Sequence, residues 1–524
     1  MGLNVSYSMI RSSIFFLLVS TTFIYSQNIN SIFPNFDKSG MQSDVLYNPS
    51  SISNINTMQE NTHDLYSFYQ VYKSIAFSDF QQRLPKLDNI KNIAMSELMS
   101  INIPLALIYS EYDSFNENAK NNQVIFKNSN NQFERIESDL EIFDHYQILV
   151  GAALKPIQRG SEVVFNLSNN LFFNISEKVV NSIEVNFGDG LGFQFIELDQ
   201  NYHVSYENEG EKQISFKLTF DDGHLIEANS KLKVIYSNAE LNEKNNQNIV
   251  GFTSGTTDPP YIQPYNEYPF KGWGEMEIFL GNDNLLDKPI FIIDGFDPLD
   301  SRNINAIYQA LNYGGGNLAD IVRNSGYDVV ILNFPTYFRE EDQVWIYGGA
   351  DYIERNAMLL VELIKFINNQ KVGDKKNVVI GPSMGGLVSR YALNYMESIG
   401  VDHETRLYVS FDSPHAGANV PIGFQHMFNY LAYGLDTWVG DFSVESLKPV
   451  VDRMLKSPAA RQMLWDHFEP HLSDGVAEFN NNNALPQPHP FFSIFYNAID
   501  TVHSFEYPQD TRNVSIINGS GSLN

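Results

Sequence analysis

The hexapeptide Gly381-Pro382-Ser383-Met384-Gly385-Gly386 is the stretch of this chain best equipped for chemistry. A serine hydroxyl becomes a strong nucleophile when a neighbouring base takes its proton, and acyl transfer needs N–H groups aimed at the oxygen that becomes negative. The apolar run Val378-Val379-Ile380 before the hexapeptide reads as a buried strand. After it, Leu387, Val388, Tyr391, Ala392 and Tyr395 recur at helical spacing as one apolar stripe. Ser383 therefore falls on a tight strand–turn–helix corner. Gly381, Gly385 and Gly386 occupy positions where a side chain would collide with neighbouring backbone. The helix that follows aims its positive end at the serine. The chemistry this encodes is attack of Ser383 on a carbonyl carbon.

The developing oxyanion needs two donors. One is the backbone N–H of Met384, directly after the nucleophile. The other is expected from the loop after an earlier parallel strand, where Ile292-Ile293-Asp294-Gly295-Phe296 makes the Phe296 N–H the candidate. Asp294 and Asp297 in this loop read as turn-forming and helix-capping residues rather than catalysts.

A second segment, Ser410-Phe411-Asp412-Ser413-Pro414-His415-Ala416-Gly417-Ala418, resembles the T-P-H-x-G-(S/A) stretch of many lipases and of the GPI inositol-deacylase-like hydrolases. Pro382-Ser383-Met384-Gly385-Gly386-Leu387-Val388-Ser389-Arg390-Tyr391 resembles the nucleophile region of the same esterases. Together the likeness covers residues 285–420. It implies an α/β-hydrolase domain, a mainly parallel sheet with helices on both faces, that hydrolyses an ester or lipid substrate without a cofactor. It also implies a structural, loop-shaping role for His415. The chain departs from the lipase pattern at Asp294, where those enzymes commonly carry a histidine; a backbone donor survives that change.

The rest of a Ser-His-acid triad is harder to place. In this fold the acid follows the sixth or seventh strand and the histidine follows the eighth. The sixth apolar strand ends near Phe411, which makes Asp412 positionally able to serve as the acid. The next strand, near residues 513–517, runs into Asn518-Gly519-Ser520-Gly521, leaving no eighth strand before Asn524. Two readings stay open: the acid, last strand and histidine lie beyond Asn524, or the base is one of His403, His415, His426, His467, His471, His489 and His503. His467 and His471 have metal-ligand spacing, but Pro470 between them opposes a shared helix face, and no metal site is expected.

Buried strands are expected at 289–293, 327–332, 377–380 and 407–411, with a helix over 352–367 carrying Ile353, Ala357, Leu360, Val361 and Ile364. The α/β-hydrolase domain is assigned to 273–524. An insertion at about 418–511 within it reads as a helical cap, with Phe424, Phe428, Tyr430, Leu431 and Tyr433 either lining an acyl groove or packing the cap down. Upstream, 27–154 reads as an accessory β-rich region with a helix over 65–80. Residues 155–238 carry short alternating strands, and 239–272 form a Pro-rich linker. Val185-Asn186-Phe187-Gly188-Asp189-Gly190 and the strand Gln213–Phe220 resemble polycystic-kidney-disease-type domains, which implies an immunoglobulin-like sandwich acting as spacer or adhesive module.

Residues 1–26 read as a signal peptide: Arg11 precedes the apolar run from Ile14 to Val19, and Ser26 offers a cleavage site. An uncleaved anchor helix is the alternative. No later stretch is apolar for long enough to span a bilayer. The net charge of -28 opposes nucleic acid and anionic membrane surfaces as partners. The absence of cysteine excludes thiol catalysis. The leading expectation is a secreted, cell-surface or periplasmic serine esterase or lipase-like hydrolase. Two alternatives remain: a non-catalytic surface or adhesive protein on a hydrolase scaffold, and an amidase, peptidase or acyltransferase using the same acyl-enzyme chemistry. The oligomeric state is not encoded in any motif.

Overall fold

The computed structural model describes residues 29–518, apart from 32, 48–62, 99–102, 130–131, 156, 238–239, 241, 243–247, 255–264, 266–268, 438–439, 442 and 481. The signal-peptide reading of 1–26 lies outside the described residues.

The N-terminal half is organised around one long strand, Ile103–Phe115, paired antiparallel with Phe143–Ala153. Successive side chains of a strand point to opposite faces, so a strand buried on both sides loses polar alternation. Leu105, Leu107 and Tyr109 pack with Val163, Val185 and Phe216 on one face. Ala106, Ile108 and Tyr112 pack on the other face against Phe68, Tyr72 and Ile75 of the helix Leu65–Ser78. That helix starts where the Asp64 carboxylate accepts the Ser67 N–H at 2.8 Å.

A five-stranded sheet runs Gln194–Ile196, Val180–Asn186, Gly210–Phe220, Leu225–Ile235, Ile157–Arg159 in spatial order. The boundary expected at 154/155 does not separate two units. Ile103–Phe115 pairs in parallel with both Glu162–Asn166 and Phe172–Asn174, and its side chains share a core with the five-stranded sheet. Neither segment could bury its apolar face without the other.

The C-terminal half is built on a seven-stranded sheet: β1 (Val250–Thr253), β2 (Trp273–Phe279), β3 (Pro289–Ile293), β4 (Asp328–Asn333), β5 (Asn377–Pro382), β6 (Thr405–Phe411) and β7 (Arg512–Ile516). Their spatial order is β1-β2-β4-β3-β5-β6-β7. β1 and β2 run antiparallel; every pairing from β4 to β7 is parallel. The linker expected at 239–272 thus contains a strand of the sheet, and the domain starts earlier than 273. Tyr265, from the same stretch, donates its hydroxyl to Glu354 at 2.5 Å.

Helices cover both faces, as buried parallel strands require. α1 (Ile304–Gln309) and α2 (Leu318–Asn324) bury Ile304, Ile307 and Ala319 against Ile290, Ile292, Val329, Ile331 and Val378. On the opposite face α3 (Ile353–Gln370) and α4 (Met384–Ser398) pack on Phe291, Ile293, Val330, Leu332 and Val379.

The segment between β6 and β7 holds α5 (Ile422–Asn429), α6 (Pro458–Met463) and α7 (Pro490–Thr501). It is a cap only in part. Ala459, Met463, Phe495 and Ile499 belong to the main core, so α6 and α7 cover the sheet. A separate small cluster of Ala432, Val451, Leu455 and Phe468 takes in Phe428 and Tyr433, whereas Phe424 and Tyr430 are exposed. The N-terminal helices hold this cap from outside: Lys91 Nζ lies 2.8 Å from Glu445, and Lys73 donates to the Ser443 carbonyl at 3.1 Å.

Candidate active site

Ser383 sits between the last residue of β5 and the first of α4 with φ +52° and ψ −128°. A non-glycine residue with positive φ is strained, and such strain persists only where the surroundings impose it. They do so here. The Ser383 N–H donates to the Phe411 carbonyl at 2.9 Å, and the Ser383 carbonyl accepts the Gly386 N–H at 3.1 Å. The side chain is left exposed above the strand ends.

The three elbow glycines are places of close approach. A methyl at Gly381 would lie 2.3 Å from the Gly385 carbonyl oxygen, and one at Gly385 would lie 2.7 Å from the Ile293 oxygen. One at Gly386 would reach 2.0 Å from the Ser413 hydroxyl. The corner is therefore wedged between the end of β3 and the loop after β6.

The loop after β3 lies directly beside the nucleophile. A methyl placed on Gly295 would be 3.4 Å from Ser383 Cβ and 3.9 Å from its Oγ. Among the described residues, neither the Phe296 N–H nor the Met384 N–H has a hydrogen-bond partner. The loop is held by its neighbours. The Asp297 N–H donates to the Gly349 carbonyl at 2.9 Å, and the Asp297 carboxylate accepts from Ser301 Oγ and the Arg302 N–H, both at 2.8 Å. Arg302 closes the loop with Nε on Asp294 at 3.0 Å and a second nitrogen on the Phe296 carbonyl at 3.1 Å. No motif in the sequence marks this arginine clamp or the Gly348-Gly349 turn behind it. The adjacent glycines were the available signal.

Asp294 is buried, and burial pushes its carboxyl up to about 6 despite Arg302. The sign follows. The folded state holds this proton more tightly than the unfolded chain, so Asp294 favours folding fully below the ordinary aspartate range. That contribution is lost as the pH rises through about 4 to 6. Asp294→Asn keeps an acceptor for Arg302 and removes the charge. Its stability should therefore match wild type near pH 4 and exceed it by about 1–3 kcal/mol near pH 8. Urea unfolding at the two pH values checks this; an equal difference at both would refute the assignment.

Asp412 stands at the end of β6 with φ +48° and is exposed. Its N–H donates to the Ile516 carbonyl at 2.7 Å, and its carboxylate accepts the Asn518 N–H at 3.3 Å. It is thus fixed against the loop after β7. His415, in the loop after β6, turns back to that strand, with Nε2 2.7 Å from Ser410 Oγ. Burial pushes its imidazole down to about 4.

Among the described residues none of the histidines after Ser383 hydrogen-bonds to it. His403 pairs with Glu397 at 3.1 Å, His471 with Asp466 at 2.8 Å, and His467 with the Leu455 carbonyl at 2.9 Å. His489 caps α7 by accepting the Phe491 N–H at 3.1 Å. His467 and His471 are thus engaged separately, with Pro470 in a single 3-10 turn between them. Among the described residues β7 pairs only with β6, and Ile516 beside Asp412 is 47% exposed.

Strand order, crossover helices and the corner carrying Ser383 together define an α/β-hydrolase domain. Residues 302–439 match the PGAP1-like alpha/beta domain family. This stretch includes the Arg302 clamp, Ser383 and the loop with His415. No curated protein matches the chain. Among solved structures, a putative hydrolase from Agrobacterium vitis S4 is 13% identical with TM-score 0.22, over 32% of this chain and 54% of that one. A serine hydrolase without lid from Xanthomonas campestris is 15% identical with TM-score 0.20, over 32% and 62%. An esterase B from Lactobacillus rhamnosis is 13% identical with TM-score 0.19, over 32% and 50%. The chain thus spans about half to three-fifths of these proteins' length, and at such values the likenesses carry no argument about the site.

Proposed function

We propose that this protein is an exported serine hydrolase that cleaves carboxylic esters through an acyl-enzyme on Ser383. The observation that carries the reading is the exposed, positive-φ serine with the Gly295 loop directly beside it, the Phe296 and Met384 N–H groups having no partner among the described residues. Ser383 Oγ adds to the ester carbonyl, and the Met384 and Phe296 N–H groups stabilise the oxyanion. Collapse expels the alcohol, and water then releases the acid from the serine. Asp412, held at the end of β6 by its contacts with the loop after β7, is the acid in this reading. Export is supported by the signal-like residues 1–26. The β-rich N-terminal half, with its PKD-like turn, serves as a spacer in this reading.

A fluorophosphonate probe tests the proposal on the natural protein. One probe per chain, mapped to Ser383 by mass spectrometry, is expected. Labelling elsewhere, or none under conditions that label a control esterase, would sink it.

A further inference from the structure

Away from Ser383, a cavity of about 190 Å³ lies where the N-terminal half, the hydrolase domain and the cap meet. Its walls are largely apolar: Leu98 and Ile157 from the N-terminal half, Leu299 from the loop after β3, and Trp345 and Tyr347 from the hairpin after β4. Leu299 is 46% exposed, so the apolar lining continues to the mouth.

Three cations share these walls: Lys155, Arg159 and Arg453. Arg159 is neutralised, with both Asp300 oxygens 2.5 Å from one of its guanidinium nitrogens. The other two are not. Lys155 Nζ donates to the neutral Gln158 Oε1 at 2.7 Å, and the Arg453 guanidinium rests 4.8 Å from the Tyr347 ring centroid. Among the described residues neither forms an ion pair with a carboxylate. In a chain of net charge -28, two cations in an apolar cavity that pair with no carboxylate among the described residues call for an anion from outside the chain. Burial pushes the Lys155 ammonium down to about 8, as expected for a charge that gives up water without gaining an anion.

We propose that this junction cavity binds a fatty-acid carboxylate, with the alkyl chain against Leu98, Ile157, Leu299 and Trp345 and the head group between Lys155 and Arg453. The apolar walls exclude a small hydrophilic anion, which would gain nothing from them. Two single-charge partners match one carboxylate, whereas a phosphate dianion would call for a denser set of converging donors. The inference does not depend on Ser383 being the nucleophile.

Calorimetric titration of the full-length protein with decanoate and with decanol tests it. Decanoate is expected to bind with one-to-one stoichiometry, about tenfold or more tighter than decanol, since a charge-assisted pair adds roughly 1.5–3 kcal/mol. Lys155→Gln and Arg453→Gln should each weaken decanoate by about tenfold and leave decanol unchanged. Leu299→Ser should weaken both. Arg453 makes a ring contact and no ion pair among the described residues, so its variant tests the idea even if Lys155→Gln unfolds; melting without ligand checks folding. Equal binding of the acid and the alcohol, no saturable binding, or wild-type decanoate affinity in the folded Arg453→Gln protein would overturn the proposal.

Discussion

Alanine at Ser383 is expected to lower the turnover of a short p-nitrophenyl ester by the natural protein by at least about 10⁴-fold, roughly 5.5 kcal/mol of transition-state stabilisation. The reason lies in what each part contributes. The serine alone supplies the covalent route, and without it the two N–H groups can only polarise a carbonyl for attack by water. Ser383 is exposed, and none of its side-chain contacts holds the core. Melting temperature and KM should therefore change little, and the loss should fall in kcat. Retention of more than about 1% of wild-type kcat would place the chemistry elsewhere, since water attack in the same pocket is far slower.

How the chain announces this site, and where it stays silent, has a physical basis. Runs such as Ile290-Phe291-Ile292-Ile293 and Val378-Val379-Ile380 are legible because strands covered on both faces have no polar alternation. The elbow is legible because its glycines, its strand and its helix all lie within about twenty consecutive residues, so local spacing captures a local geometry. Long-range partnerships leave no such trace. Arg302 reaches back to Asp294 across a turn with no periodic pattern. Val250–Thr253 is a four-residue, mostly exposed edge strand, too short to show a pattern of its own, and its backbone pairing with Trp273–Met276 makes it part of the sheet. The same holds for the division expected at 154/155. Tyr109 and Leu107 look like the inner face of one sheet until Val185 and Phe216 are seen packed across from them. The cap was legible as a long insertion. That Phe495 and Ile499 lie in the main core while Phe424 is exposed depends on which face of each helix meets the sheet.

Gly381→Ala should be the most damaging small change at the site, costing about 3 kcal/mol of stability and slowing fluorophosphonate labelling by about 100-fold or more. The added methyl would lie 2.3 Å from the Gly385 oxygen and 2.5 Å from both the Gly385 carbon and the Gly386 nitrogen. All three are backbone atoms of the first turn of α4, so no side chain can step aside. Relief requires that turn to move, and it carries the Met384 N–H and the imposed φ of Ser383 with it. Gly386→Ala makes a different contrast. Its methyl would strike the Ser413 side chain, at 2.0 Å from Oγ and 2.7 Å from Cβ, and then stand 3.0 Å from the Gly381 oxygen. Adding Ser413→Gly removes the first two obstacles, and the double variant should recover much of the labelling rate lost in Gly386→Ala. The same second change should do nothing for Gly381→Ala. Labelling rates and urea midpoints for the four variants decide the matter: wild-type labelling by Gly381→Ala, or equal rescue of both alanines by Ser413→Gly, would show that the corner does not depend on backbone contact at position 381.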